Sequence, residues 1–426
     1  MSDLSLKLQG ILADRSQKKI GSCHKIARTV ECHVSIPGGF KTSKRPVIHL
    51  RGMKVREIKK RETGAANLAS PCLLVAGGAG FIGSHFVRTL LEVSSSSVVS
   101  VDKCTYATGL SYLSDIDDGR HRLVVGDIGN RALIRDLLRE HQPAAVVNFA
   151  AETHVDRSIL FPGEFVQTNV VGTFNLLEEA RSYWQELPAE SKDRFRFLQV
   201  STDEVYGSLP PGHPPCDEDS PFAPNSPYAA SKAAADQFVR AFHQTYGVPT
   251  QIARCCNNYG PGQYPEKLIP LLILRALGEQ PLPVFGDGNQ VRDWLYVRDH
   301  CLALLRIIEG GNFGEVYNIS ARAERTNLQV VRAVCALLDE ARPRRSGNYS
   351  DLIAHVKDRP GHDRRYALDP GKITTQLEWR PTESFETGLA KTVQWYLEHV
   401  EAVMAVAKGQ PYQEWVALNY NQRRFE

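Results

Sequence analysis

An apolar run at 71–76 passes directly into Gly77, Gly78, Gly80 and Gly83, and from there into apolar residues at helical spacing over 81–91. A chain that reads strand, glycines, helix has few folds open to it. The spacing satisfies G-x-G-x-x-G from Gly78 and G-x-x-G-x-x-G from Gly77. Glycine is required where a backbone turns tightly, approaches another group closely, or packs a helix hard on a strand, and the helix N-terminus beyond offers free N–H groups to a diphosphate. Taken alone the cluster also fits a plain tight turn, so the strands that follow decide its meaning.

A second strand over 98–102 ends in Asp102, 19 residues after Gly83, close to the spacing at which a carboxylate binds both ribose hydroxyls of NAD; an acid there favours NAD over NADP. Lys103 and Thr105 follow directly. A third strand, 123–128, brings Asp127 and Ile128 to the adenine edge, and a fourth, 145–154, ends in Ala150, Ala151, Thr153 and His154, with small residues that let a backbone pass close to a cofactor. Helical stretches such as 132–141 intervene, which is the β-α-β-α rhythm of a parallel, doubly wound Rossmann sheet in an α/β protein. Glu152 and His154 are candidate metal ligands only if a third group joins them; none stands nearby, and no metal is expected. Thr168 and Asn169 lie in the amphipathic stretch 165–180, where a buried Asn needs partners: either it serves the site or it makes an ordinary interhelical hydrogen bond.

Chemistry concentrates at 196–207, an apolar run that ends in Thr202, Asp203, Glu204 and Gly207. Downstream, Tyr228 and Lys232 are four residues apart and share one face of a helix expected over 228–246. Phenol, amine and two carboxyl groups form an acid/base kit. Consecutive residues on a regular strand face opposite ways, so Asp203 and Glu204 converge only if the strand has already ended. Alternatively the pair caps a helix start. Two close carboxyl groups also push their titrations apart, the condition for one to act as acid and the other as base.

At 426 residues and 42% apolar content the chain is long enough for two lobes. Residues 71–256 read as the NAD-binding Rossmann domain, 257–400 as a smaller, irregular C-terminal lobe that mainly takes substrate, and 401–426 as a tail. Residues 1–70 carry 15 Lys and Arg against 5 Asp and Glu, net +10, while the remainder carries 36 against 43, net −7. This head reads as a poorly ordered basic extension: a tail for an acidic partner, a transit peptide, or sequence upstream of a start at Met53. Nine cysteines without a C-x-x-C pair or zinc-ligand spacing point to a reduced, cytoplasmic compartment, and no apolar run reaches the roughly 20 residues that span a bilayer. Nothing calls for a nucleic-acid or membrane partner.

Taken together, Gly77 to Gly83, Asp102-Lys103, Asp127-Ile128, the 150–154 run, Thr202-Asp203-Glu204, Tyr228-x-x-x-Lys232, Asn257-Asn258-Tyr259-Gly260, 265–270, 292–297 and 358–362 resemble the extended short-chain dehydrogenase/reductase family and, within it, the NAD-dependent dTDP-glucose 4,6-dehydratases. The resemblance covers about 71–400. Sister epimerases and decarboxylases look similar elsewhere but lack the Asp-Glu pair, which leaves a UDP-sugar epimerase or decarboxylase as the nearest rival and a non-catalytic nucleotide-binding scaffold as the rival of another class. The resemblance implies that NAD is held by Gly77, Gly80, Phe81, Ile82, Gly83, Asp102, Lys103, Thr105, Asp127, Ile128, Ala150, Ala151, Thr153, Thr168, Tyr228, Lys232 and Asn257. It implies catalysis by Thr202, Asp203, Glu204, Tyr228 and Lys232, with dTDP-glucose met by Thr153, Thr202, Asn257, Lys267, Leu268, Pro283, Phe285, Arg292, Asn318, Arg359 and His362. It also implies a homodimer through a helix bundle built from 165–180 and 229–246. Cys104, Cys256 and Gly262 stand where the family has other residues.

Overall fold

A computed structural model of the chain describes residues 71–417 apart from 107, 109–112, 114, 115 and 117. The basic head, the proposed start at Met53 and the last nine residues lie outside the described residues. Twelve strands are described: β1 (Cys72–Ala76), β2 (Ser97–Asp102), β3 (His121–Val125), β4 (Ala145–Asn148), β5 (Arg196–Thr202), β6 (Thr250–Cys255), β7 (Asn257–Tyr259), β8 (Leu282–Phe285), β9 (Val291–Tyr296), β10 (Val316–Ile319), β11 (Glu324–Thr326) and β12 (Ile353–Val356). Seven of them form one sheet in the order β10-β6-β5-β4-β1-β2-β3, every pair parallel.

The central strands are apolar at nearly every position because both sheet faces are covered. Side chains alternate between two cores: Leu73, Val75, Val147 and Leu198 enter the core with Phe86, Leu90 and Leu304, whereas Leu74, Ala76, Val146 and Phe197 enter the core with Ile134, Leu177 and Phe242. The chain order reverses between β1 and β4, and the crevice beyond their C-terminal ends is where open α/β sheets bind ligands. Gly77 has φ +76°, and a Cβ there would lie 2.6 Å from the Ala150 nitrogen, so the two strand ends meet as closely as backbone allows.

The stretch 257–400 builds most of a second core, where Ile269, Leu272, Val330, Val334, Phe385 and Tyr396 pack beside a three-stranded sheet (β11-β9-β7) and a two-stranded one (β12-β8). It also returns β10 to the edge of the large sheet. Residues expected as a tail form the helices Val400–Ala407 and Gln410–Val416, with Val403 and Trp415 buried in that second core.

One helix differs from its expectation. The amphipathic stretch 165–180 is the end of a short helix, Pro162–Phe165, then a π-helical segment, Val166–Gly172, and only then the α-helix Thr173–Glu186. Sequence periodicity does not register the switch to i→i+5 bonding, which changes only the phase at which side chains emerge; such segments gather at functional sites.

Replacing Gly77 with Ala combines a left-handed backbone with a backbone clash that no side chain can relieve. We expect Gly77→Ala to lower unfolding free energy by about 3 kcal/mol, read from urea denaturation.

Candidate functional site

The glycine segment sits under tension of space rather than of charge. A Cβ on Gly83 would lie 2.1 Å from the Gly77 carbonyl oxygen, and one on Gly78 2.5 Å from the Ser100 hydroxyl. The helix Phe81–Val93 starts at Gly80 with no side-chain cap and no acid in its first turn, which leaves its N-terminal N–H groups for an anion. At the end of β2, Asp102 Oδ2 accepts from the Ala79 N–H at 3.0 Å and Oδ1 from the Cys104 N–H at 2.8 Å, so the carboxylate is aimed beside the glycines. Cys104, one of the departures from the family, adopts φ +51° to make that bond. Lys103 and Asp127 pair at 2.8 Å across the β2 and β3 ends. At the end of β4, Asn148 Nδ2 donates to Gln199 Oε1 at 2.8 Å and its Oδ1 accepts from the Ala150 N–H at 3.1 Å, holding the small residues in line. Glycines packed against backbone, an uncapped helix start and an oriented acid together fit a dinucleotide.

Every residue named above for NAD and for catalysis lines one cavity of about 300 Å³. Thr168 faces it from the π-helical segment. Its neighbour Asn169 turns away: its Oδ1 accepts from the Glu152 N–H at 2.8 Å, and its Nδ2 donates to the Glu152 carbonyl at 3.0 Å and to Ser231 Oγ at 2.8 Å. It ties the cofactor loop to the helix Pro227–Tyr246. His154 caps the helix Val155–Leu160 by accepting from the Arg157 N–H and meets Trp415 edge-on at 5.4 Å. Burial holds its imidazole well below its ordinary pKa, and the described residues contain no group of three side chains that could hold a metal ion.

β5 ends at Thr202, and the next four residues, Asp203–Tyr206, form a 3-10 turn. Strand alternation stops at the point the two carboxyl groups require. Thr202 caps the turn by accepting from the Glu204 N–H at 3.3 Å, and its hydroxyl donates to Asp203 Oδ1 at 3.2 Å. Asp203 is 3% exposed, and its Oδ2 has no hydrogen-bond partner among the described residues. Burial, followed by the Glu204 charge, holds the Asp203 carboxyl well above its ordinary pKa. Glu204 is also raised by burial, but Arg359, Arg292 and Lys267 pull it back. Burial therefore favours the protonated form of Asp203, whereas three cations act to favour the ionised form of Glu204.

Tyr228 and Lys232 emerge on the same face of the helix Pro227–Tyr246, both buried. Lys232 Nζ donates to the Val200 carbonyl at 2.7 Å, and burial lowers its pKa. The Thr202 side chain acts to lower the pKa of the Tyr228 phenol. Burial and then the Glu204 charge push that phenol well above its ordinary pKa. Desolvation thus penalises the phenolate, and ionising it calls for positive charge beside it.

Of the residues expected at the substrate, Thr153, Thr202, Asn257 and Lys267 line the cavity. Lys267 Nζ donates to the Thr153 carbonyl at 3.0 Å, and Leu268 begins the helix Leu268–Leu277 beside it. Arg292 is buried, with Nη2 donating to the Asp363 carbonyl at 2.9 Å and its guanidinium 4.3 Å from the Tyr366 ring centroid. Arg359 lies 3.6 Å from Asp156. Further along, Pro283 and Phe285 lie on β8, and Phe285 meets His362 edge-on at 6.3 Å while His362 Nδ1 donates to Asp358 Oδ1 at 2.6 Å. Asn318 is fully buried on β10, where it accepts from the Tyr206 hydroxyl at 3.0 Å and donates to the Cys216 carbonyl at 3.1 Å. Sequence reasoning left unassigned several residues that line the cavity, among them Glu152, Gln263, Tyr264 and Glu266. Glu152 and Glu266 adjoin assigned residues, and that adjacency was the available signal; the approach of Glu266 to Arg157, at 3.7 Å, had none.

Fold and site together define a Rossmann-type, NAD-binding enzyme of the extended short-chain dehydrogenase/reductase class that carries an added acid/base pair. A sequence profile of the GDP-mannose 4,6 dehydratase family matches residues 74–392. A dTDP-glucose 4,6-dehydratase from Xanthomonas campestris pv. campestris (strain B100) is 55% identical over 340 residues, covering 79% of this chain and 96% of that protein. One from Salmonella typhimurium is 50% identical over 363 residues, covering 83% and 99%. Among solved structures, the dTDP-glucose 4,6-dehydratase DesIV of Streptomyces venezuelae, crystallised with NAD bound, superposes with a TM-score of 0.72 at 44% identity, covering 79% of this chain and 99% of that one. A UDP-glucose 4-epimerase of Thermotoga maritima reaches a TM-score of 0.68 at 28% identity, covering 77% and 99%. The chain belongs to the GDP-mannose 4,6 dehydratase family and, within it, to the dTDP-glucose 4,6-dehydratases.

Because the Asp203 carboxyl is raised in the folded chain, the native state keeps a proton that the unfolded chain releases above about 3.8, and stability falls as pH climbs past that value. Asp203→Asn keeps the shape without the ionisable proton. It should raise Tm at pH 7 and lose that advantage below about pH 3.8, measured by thermal melts across pH.

Proposed function

We propose that this chain converts dTDP-glucose to dTDP-4-keto-6-deoxyglucose and water, regenerating its NAD at each turnover, for deoxysugar biosynthesis. The observation that carries the reading is one cavity lined jointly by the Asp203-Glu204 pair, the Tyr228-Lys232 pair and the dinucleotide cradle. A UDP-sugar epimerase needs only the Tyr-Lys pair and the cradle, and a scaffold needs neither pair.

The glycine segment and Asp102 would hold NAD, which would supply the hydride acceptor and donor and the positive charge that a buried phenolate requires. Tyr228 removes the proton of the hydroxyl on the fourth carbon, and Thr202 holds that oxygen. Lys232, fixed by the Val200 carbonyl, supports the ionised phenol. The carbonyl formed at the fourth carbon acidifies the hydrogen on the fifth, which Glu204 takes as general base. Asp203, kept protonated by burial, gives its proton to the hydroxyl leaving the sixth carbon as water. Arg292, Arg359 and Lys267, whose charges act on Glu204, suit the substrate diphosphate, and the Phe285–His362 edge contact suits the nucleoside end.

For assembly, the reading is a homodimer through a bundle of the stretches 165–180 and 229–246. Exposed Val166 on the first stretch and Phe238 and Tyr246 on the second support it. The seven cysteines among the described residues are all free, which suits a reducing, cytoplasmic setting.

Incubation with a panel of nucleotide-glucoses followed by mass spectrometry should show loss of one water from dTDP-glucose; dTDP-galactose in its place would favour the epimerase. Glu204→Gln should cut turnover about 10²- to 10⁴-fold and leave the nicotinamide reduced after mixing, read by its near-ultraviolet absorbance. Phe238→Glu should shift the particle from dimer to monomer in size-exclusion chromatography with light scattering.

A further inference from the structure

The 3-10 turn that carries Asp203 and Glu204 ends in a residue that the mechanism does not use. Tyr206 is 5% exposed, and its hydroxyl is engaged on both sides: it donates to Asn318 Oδ1 at 3.0 Å and accepts from Arg254 Nη1 at 2.7 Å. Arg254 lies on β6 directly opposite Ser201 of β5, one residue before the strand end. Its Nε donates to Asp236 Oδ2 at 2.9 Å, and its guanidinium is 4.5 Å from the Phe222 ring centroid. Asp236 sits one turn after Lys232 on the same face of the helix Pro227–Tyr246.

Asn318, Tyr206, Arg254 and Asp236 thus form a continuous buried chain of polar contacts, each residue no more than 5% exposed. It starts on β10, touches the turn with the two carboxyl groups, crosses β6, and ends on the helix with the amine. Buried charge is tolerated when every member is paired, and such networks hold their elements in one arrangement at the cost of being hard to repack. The body of β5 needs no such device, since Phe197 and Leu198 already fix it in the two sheet cores. What packing of β5 does not fix is the turn beyond it, whose last side chain is Tyr206.

We propose that Tyr206 is a positioning residue for the elimination step, its hydroxyl holding the Asp203-Glu204 turn in register with the Lys232 helix through Arg254 and Asp236. The proposal rests on the dehydratase reading above. It separates two parts of the reaction that share a cavity. Tyr228 and Lys232 stand on a 20-residue helix, whereas Asp203 and Glu204 stand on a four-residue turn whose last residue is Tyr206. Misplacement of a catalytic group by an ångström costs on the order of 100-fold in rate.

The test is Tyr206→Phe, which leaves the ring in place and leaves Arg254 paired with Asp236. In steady state with dTDP-glucose, kcat should fall about 10- to 100-fold with KM unchanged, and reduced nicotinamide should accumulate on the enzyme, because oxidation at the fourth carbon proceeds while elimination lags. Incorporation of solvent deuterium at the fifth carbon should slow in parallel. A role confined to stability would lower the active fraction without raising the reduced-nicotinamide signal per active site, and that result overturns the proposal, as does a kcat within twofold of wild type. Should Tyr206→Phe fail to fold, the same readouts on Arg254→Lys, which keeps a cation beside Asp236 without the forked reach to Tyr206, decide in the same way. A wild-type chain that leaves dTDP-glucose unchanged overturns the dehydratase reading itself; an active wild type with an unaltered variant overturns only the role of Tyr206.

Discussion

Everything specific to this enzyme depends on β5 stopping at Thr202. Had the strand continued for two residues, Asp203 and Glu204 would point to opposite faces of the sheet, one toward each apolar core. The 3-10 turn breaks that alternation, and Thr202 caps it with the hydroxyl that also reaches Asp203. Local geometry, rather than any additional residue, places two adjacent carboxyl groups on the cavity that Tyr228 and Lys232 also line.

That cavity divides its titrations by environment. Asp203 is desolvated with one oxygen lacking a donor among the described residues, which favours its protonated form; Glu204 is desolvated too but has Arg359, Arg292 and Lys267 acting on it. Two identical functional groups one residue apart are thereby suited to opposite duties. The same desolvation holds Tyr228 protonated and weakens the charge on Lys232, so the resting chain is poised against ionisation in its own cavity. Each of these burials costs folding stability, which the two sheet cores and the second core offset.

Much of this was legible in the primary structure. The glycine spacing, Asp102 and the rhythm of apolar strands implied the parallel sheet and its crevice, because those requirements are local: a tight turn, a near backbone, an acid at a fixed distance. Tyr228 and Lys232 were legible as a pair because four residues is one helical turn. Less legible were the phase change at Val166–Gly172, which turns Thr168 to the cavity and Asn169 to Ser231, and the hydrogen bond that joins Asn318 to Tyr206 across 112 positions.

The amino-acid order by itself determined the fold class, the cofactor cradle and the chemical kit, since each rests on residue type and short spacing. Only the tertiary structure decided that the two carboxyl groups converge, that three cations from distant segments act on one of them, and that Arg254 ties the turn to the helix. The last two of those outcomes join residues 18 to 155 positions apart, and desolvation and through-space charge depend on what the folded chain brings near, which no local pattern encodes.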